Sequence, residues 1–407
     1  MPNDVLRPRL RPLELTWLAG DDGRSLFIRD PSGVAPHSAT VPPWVAFLLS
    51  LCDGERDAAG IGAAFELRTG QRLPAERVET VINQLDEALF LNSPRFRAAH
   101  AEALRDYRES SSRPPMLAGR TYPAGADDLI AALGQYDDGG VDVAIDPPPR
   151  GLVSPHIDYQ RGGDTYAKTW RRAVEAVRSA DIIVILGTDH SGGPGQITLT
   201  RQSYGTPLGI LRTATAIVDA LAEAIGSDEA YAEELHHRSE HSIELAAVWL
   251  HSIAGTTPPP QVVPILCGSF HEFIAGTADP ATFDRFTHVL SALRRATEGR
   301  RVLMVAAADL AHVGPAFGDA EPLDADDRAR LARADERLLA SVCLGDADGF
   351  FGQLRAERDQ RRICGLAPIY LMLRFLGRSN GQIVDYDQCA ADENGGSLVS
   401  IAGVLLP

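Results

Sequence analysis

The sequence has few cysteines, no basic surplus and no long apolar run. Its five cysteines, Cys52, Cys267, Cys343, Cys364 and Cys389, are scattered through 407 residues. An odd number at wide, irregular spacings, with no CxxC pair, excludes a disulfide framework or a zinc ribbon as the organising device. Reduced thiols are expected, and one of them is available as a ligand. The formal charge is −16. Sequence-independent nucleic-acid binding needs a basic footprint, so no nucleic-acid partner is expected. No apolar stretch reaches the roughly 18 residues that suggest a membrane span. The opening MPNDVLRPRLRPLELTWLAG also lacks the apolar centre of a signal peptide. The expectation is a cytoplasmic protein with no membrane partner. No internal repeat and no low-complexity tract is visible.

What is present is ordinary globular material, 44% hydrophobic and 23% charged, long enough for more than one domain. Residues 1–96 read as a small winged-helix-like α+β domain. LELTWLA and RSLFIRD are strands, and Asp22-Gly23 between them signals a hairpin. PPWVAFLLSLCDG, DAAGIGAAFELRTG and PAERVETVINQLDEALFL are short helices. The last carries Val78, Val81, Ile82, Leu85, Leu89 and Leu91 at mostly helical spacing. The pattern resembles the PqqD-like peptide-recognition domains; a helical cap on the main domain is the alternative. Residues 97–116 begin as a polar helix and end in Ser-Ser-Ser-Arg-Pro-Pro, which reads as a linker.

Residues 117–407 alternate apolar, β-branched runs (RGLVSP, DIIVILG, QVVPIL, RVLMVAAA) with helical segments. That alternation predicts an α/β domain with a mostly parallel sheet flanked by helices. QIVDYDQC and SLVSIAGVLL, separated by a short turn, predict a closing antiparallel hairpin.

Ligands of open α/β sheets gather outside the carboxyl ends of the strands. Chemistry-bearing residues sit at those positions here. His156 follows the first strand in SPHIDYQRGG, with Asp158 near enough to orient its ring. His190 follows the second in GTDHSGG, with Asp189 just before it. Their loops are one β-α-β unit apart, which suggests neighbouring strands. Asp309 and His312 follow RVLMVAAA. Asp309 either caps a helix, tunes His312 or completes a metal shell, and His312 is a candidate acid/base. Cys364 precedes the helix GLAPIYLMLRFL and follows Arg361 and Arg362. It is either a small apolar core residue or a thiolate favoured by nearby cations and the helix start. A competing site is His237 and His241, four apart on an expected helix, with Glu244 beyond. His241 and Glu244 could instead support the main site.

SPHIDYQRGG, LGTDHSGG, EHSIELAAVWL, VPILCGS, AADLAHVG and CGLAPI, in this order, together with the upstream AGRTYPAGADDLI, resemble the Memo family. Its bacterial members include the AmmeMemoRadiSam system B proteins. The resemblance covers residues 117–407. It implies a fold similar to the class III extradiol dioxygenases, which use non-haem iron(II). By motif, it implies His156, His190 and Cys364 as metal-site residues and His312, with Asp309 beside it, as the catalytic position. One metal ion is implied, iron(II) first. The thiolate, replacing the dioxygenases' carboxylate, brings copper or zinc into contention. The small amino-terminal domain departs from the minimal Memo architecture.

Three functions remain open on these grounds. One is a metal-dependent, dioxygenase-like redox enzyme acting on a small or peptide-borne substrate. Another is a non-catalytic metal- or peptide-binding adaptor beside a radical S-adenosylmethionine enzyme. A thiol hydrolase using Cys364 and His312 is the third, but it leaves His156 and His190 without a role.

Overall fold

The computed structural model describes residues 7–20, 23–136, 147–255 and 258–407. The chain forms two compact units, Met1–Ser110 and Ser111–Pro407. Among the described residues no helix is long and apolar enough to cross a membrane.

The first unit has an antiparallel sheet of β1 (Glu14–Gly20), β2 (Gly23–Arg29) and β3 (Ala39–Val41), in that order. β1 and β2 pair from Glu14↔Arg29 to Gly20↔Gly23. Asp21 and Asp22, part of the expected turn, lie outside the described residues. Four helices follow: Pro43–Leu49, Ala58–Thr69, Ala75–Glu87 and Pro94–Glu109. The third buries Val78, Val81, Ile82 and Leu85, one stripe of an amphipathic helix. It stops short of Leu89, whose φ of 61° is left-handed. Arg11 and Asp30 form a buried ion pair, 2.8 Å from Nη1 to Oδ1. The Asp30 carboxylate also accepts the amides of Ser32 and Ala35. Burial alone would raise its pKa, but these donors bring it down to about 2.

The polar helix placed in a linker by its sequence belongs to this first unit. Ser93 caps it by accepting the Phe96 amide. The serine-proline stretch after it is not a free tether throughout either. Arg113 is fully buried in the second unit, where its amide donates to Ser203 O at 2.7 Å.

The second unit is built on β4 (Gly151–Ser154), β5 (Ile182–Thr188), β6 (Ile197–Leu199), β7 (Tyr204–Thr206), β8 (Gly209–Leu211), β9 (Gln261–Cys267), β10 (Val302–Ala307), β11 (His312–Val313), β12 (Gln382–Ala390) and β13 (Leu398–Leu406). β7 and β8 form a separate ribbon. The main sheet runs β11-β13-β4-β10-β5-β9-β6, with β12 also paired to β13. Its centre, β4-β10-β5-β9, is parallel. The flanking pairings are antiparallel, and β12–β13 is the expected hairpin. The sheet is therefore mixed.

Helices cover both faces, so the central strands are apolar on both sides. In β5, Ile182, Val184 and Leu186 enter one core, with helices Thr215–Ile225, Asp284–Ala296 and Leu366–Leu376. Ile183 and Ile185 enter the other, with helices Tyr159–Arg172 and Ser242–Ala254. Each fully buried aliphatic side chain contributes about 1.5–3 kcal/mol. A one-residue slip would exchange the two faces of β5 and lose much of that packing.

β4 and β5 are not neighbours, contrary to the expectation from their spacing: β10 lies between them. Ala307 of β10 is level with Ser154 of β4 and with Gly187 of β5. Three loops thus leave the sheet side by side, carrying His156, Asp309 and His190.

Candidate metal centre

His156 is held from two directions. Its backbone amide and that of Ile157 donate to Asp309 Oδ1, at 2.7 and 3.2 Å. Its Nδ1 lies 2.9 Å from the Ala307 carbonyl oxygen. A carbonyl only accepts, so Nδ1 carries a proton and Nε2 is the free ring face. That face meets Cys364 Sγ at 3.2 Å.

Cys364 sits just before helix Leu366–Leu376, as its sequence suggested. Gly365 allows this. A Cβ there would come within 2.5 Å of Ala308 Cβ and of Asp309 O, and the Gly365 amide donates to that same oxygen. Thr188 Oγ1, at the end of β5, donates to Cys364 O at 3.0 Å. The cysteine is therefore tied to both neighbouring strand ends.

His190 is backed by Glu240, a residue the sequence reading missed. Nδ1 lies 3.0 Å from Glu240 Oε2. The other carboxylate oxygen accepts the amides of His241 and Ser242 and lies 3.0 Å from His241 Nδ1. The imidazoles of His190 and His241 stack with centroids 4.9 Å apart, and His156 meets both edge-on at 5.2 and 5.4 Å. Gly187 permits this crowding: a Cβ would meet Ser242 Oγ at 2.6 Å and Ile243 Cγ1 at 2.5 Å. One ligand atom from each of His156, His190 and Cys364 lies within 4.8 Å of the others. The sets His190, Glu240, His241 and Asp309, His312, Cys364 satisfy the same limit.

The electrostatics favour a thiolate. Burial pushes the Cys364 thiol up, but His156, hydrogen bonds from His156 and His190, and the charge of His312 bring it down to about 5. Burial opposes protonation of His156, yet Cys364 and Asp309 raise it to about 9. His190 is likewise raised against burial, by Glu240 and Cys364. Glu240 is held well below the carboxylate range, despite burial, by His190 and His241. The arginines before Cys364 are committed elsewhere. Arg361 pairs with Asp335 and Glu357, and Arg362 with Asp319. The cations acting on the thiol are the histidines.

His312 is half-buried beside this group. Its amide donates to Arg361 O at 2.7 Å, and its ring packs edge-on against Phe317. β11 pairs with β13 at His312↔Val399. Asp309 starts no helix; it secures the His156 loop.

Several expected supporting residues serve other purposes. Asp158 caps helix Tyr159–Arg172 and pairs with Arg161, so Asp309 rather than Asp158 positions His156. Asp189 is buried 2.9 Å from His236 Nδ1. Glu244 points into the second unit's core, where it binds Arg113, Tyr122 Oη and the amides of Met116 and Leu117. The competing pair His237 and His241 does not form. The helix breaks between Ser239 and Ser242. His237 is fully buried, with Nε2 on Thr198 O and Nδ1 on Tyr204 Oη, and burial pushes its pKa down to about 3.

One side of the cluster opens into a cleft of about 380 Å³, within the ordinary range for small-molecule sites. His190, Cys364 and Thr188 lie on its wall with Phe270, Ile274, Ile363, Leu366, Arg358 and Asp359.

Residues 113–405, nearly the whole second unit, match the family model described as Memo-like protein. The chain belongs to the Memo family. It is 27% identical over 386 residues to a MEMO1 family protein of Aquifex aeolicus, covering 94% of this chain and 95% of that one. A MEMO1 family protein of Archaeoglobus fulgidus is 25% identical over 296 residues, 72% of this chain and 98% of its own. One from Thermus thermophilus is 25% identical over 321 residues, 78% of this chain and 89% of its own. The Aquifex match is long enough that it must extend into the first unit. The Archaeoglobus protein pairs almost its whole length with less than three-quarters of this chain.

Proposed function

We propose that the second unit holds one metal ion through His156, His190 and Cys364 and works as a metal-dependent, dioxygenase-like redox enzyme on a small or peptide-borne substrate. The observation that carries this reading is the convergence of two imidazoles and a thiolate within 4.8 Å, each already held by its own support. Ala307 O fixes His156, Glu240 fixes His190, and Thr188 with Gly365 fixes the cysteine backbone. Metal-binding histidines commonly carry such a second hydrogen bond, which sets their tautomer and basicity. A thiol drawn down to about 5 is deprotonated at neutral pH, as a ligand must be.

Iron(II) is the ion proposed, with copper and zinc as competitors that a thiolate admits. When bound, such an ion supplies Lewis-acid polarisation or, for iron and copper, electron transfer. The protein's own residues do the remainder. His312 stands close enough to the cluster to move a proton to or from a substrate held beside Cys364. Asp309 keeps the His156 loop in place, and the paired His241 and Glu240 hold His190. Substrate enters through the cleft on the Phe270 side.

Anaerobic purification followed by elemental analysis tests the reading. One equivalent of iron in the parent, absent from Cys364→Ala, supports it. A parent that binds no transition metal under any loading condition overturns it.

A further inference from the structure

An unbroken helix running through Glu240 would give the His237 carbonyl to the His241 amide and the Glu240 carbonyl to the Glu244 amide. The chain does otherwise. One helix ends at Ser239 and the next begins at Ser242, with Glu240 extended between them at φ −73° and ψ 134°. The His241 amide donates to the Glu240 carboxylate instead, at 2.8 Å, and the Ser242 amide joins it at 3.0 Å. The break is what turns this carboxylate onto His190, 3.0 Å from Nδ1. It also takes two buried carbonyls, His237 O and Glu240 O, out of the helical ladder, and buried carbonyls need donors.

A single guanidinium supplies both. Arg113 Nε donates to His237 O and Nη2 to Glu240 O, each at 2.8 Å. Nη1 pairs with the Glu244 carboxylate in the first turn of the following helix. Arg113 thus spans the break, bonded to the helix before it, to the residue within it and to the helix after it. Its side chain is fully buried. Its backbone is fixed beside β7, donating to Ser203 O at 2.7 Å and accepting the Gly205 amide at 2.8 Å. Glu244 is fixed in turn by Tyr122 Oη and the amides of Met116 and Leu117. Acceptors in three directions suit the planar, five-donor fork of arginine; lysine carries its charge on one nitrogen.

We propose that Arg113, read from sequence as part of a linker, is a positioning residue of the metal centre. It keeps the helix broken at Glu240 and so keeps the Glu240 carboxylate on His190. Its effect on metal affinity rests on the metal-centre reading, whereas its hold on Glu240 does not.

Two variants of the full chain test this. Arg113→Lys keeps a charge beside Glu244 and loses the fork. Arg113→Met combined with Glu244→Gln removes both charges of the buried pair, so that neither is left uncompensated, and it carries the test should the lysine variant not fold. Nitrogen-15 NMR of the histidine rings in metal-free protein reads the slowly exchanging His190 Nδ1–H. The His156 Nδ1–H, held by Ala307 O, is the control in the same sample. The variants should lose the His190 signal and keep that of His156. In metal titrations they should bind about tenfold more weakly or worse, as for loss of a residue that supports a ligand. In a Glu240→Ala background the same changes should cost no further affinity, because residues acting through one group are not additive. A folded variant with the parent His190 signal overturns the inference. So does loss of both ring signals together, which would make Arg113 a general structural residue. Affinity losses that add to that of Glu240→Ala overturn it as well. A parent that binds no metal sinks the metal reading, and the ring signals alone then decide whether Arg113 holds Glu240.

Discussion

Cys364 Sγ lies 3.2 Å from His156 Nε2, although 208 residues separate them. The contact draws the thiol down to about 5 against the effect of burial. The other four thiols are pushed the opposite way, Cys52 and Cys389 to about 12, with Cys267 and Cys343 also raised by burial. Iodoacetamide should therefore alkylate metal-free protein at Cys364 alone at pH 7, as read by peptide mass mapping. Its rate should stay flat down to about pH 5 and then fall roughly tenfold per unit as thiolate is lost. A midpoint near 9, or labelling spread over several cysteines, would refute the thiolate–imidazolium pair.

Metal affinity should follow the three donors rather than the nearby histidines at large. His156→Ala, His190→Ala and Cys364→Ala should each weaken binding tenfold or more, about 1.4 kcal/mol. His237→Ala should leave affinity unchanged, because that ring is spent on Thr198 and Tyr204. Equilibrium dialysis against a competing chelator measures this. Metal loss confined to His237→Ala would move the centre elsewhere.

Glu240 should act through His190. Support residues of this kind typically change metal affinity about 10- to 100-fold. Glu240→Gln keeps an oxygen for the His190 Nδ1–H and should sit at the weak end of that range. Glu240→Ala should reach the strong end. Parent-like affinity in the alanine variant would make Glu240 a purely structural residue.

His312→Ala should retain its metal and lose turnover by about 10²- to 10⁴-fold, the usual contribution of a general acid or base. Metal content and turnover are measured on one preparation. An empty His312→Ala protein would make this histidine a ligand. A loaded and fully active one would remove it from the chemistry.

The first unit offers a pH test of stability. Asp30 is held at about 2 instead of 3.8. A carboxyl depressed on folding stabilises the native state above its unfolded pKa, and that contribution disappears as pH falls through the folded value. Asp30→Asn should cost on the order of 2 kcal/mol at pH 7, and the difference from the parent should vanish near pH 2. Denaturant titrations across pH measure it, and a constant difference at every pH would sink the assignment to ionisation.

Much of the α/β architecture was legible because both-sided burial writes itself as continuous apolar runs. In IIVILGT every residue of β5 is buried. Loop residues after such runs can be located from sequence, so His156, His190 and His312 stood out together, and Cys364 stood out separately as the thiol just before an apolar helix. Spatial strand order left no such trace. Nothing in RVLMVAAA says that β10 enters between β4 and β5, and so Asp158 was credited with supporting His156 while Asp309 holds it. Glu240 and Glu244 lie in one short segment, EHSIE, and the helix break at Glu240 decides which carboxylate faces the cluster. Helical periodicity carried across that break favoured the wrong one. The adjacent acid–imidazole pair Glu240-His241 was the available signal.

The insertion of β10 beside β4 also has a consequence for synthesis. β4 carries the His156 loop, and both of its neighbours, β10 and β13, are made later. Pairings between strands so distant in sequence form slowly and only after both partners exist. A ribosome-bound chain that has produced β4, β5 and β9 can pair β5 with β9, yet it has no strand to set against β4. Translation thus releases His156 and His190 long before the fold can hold them together, and the thiol follows later still. The meeting of these three groups belongs to the finished chain.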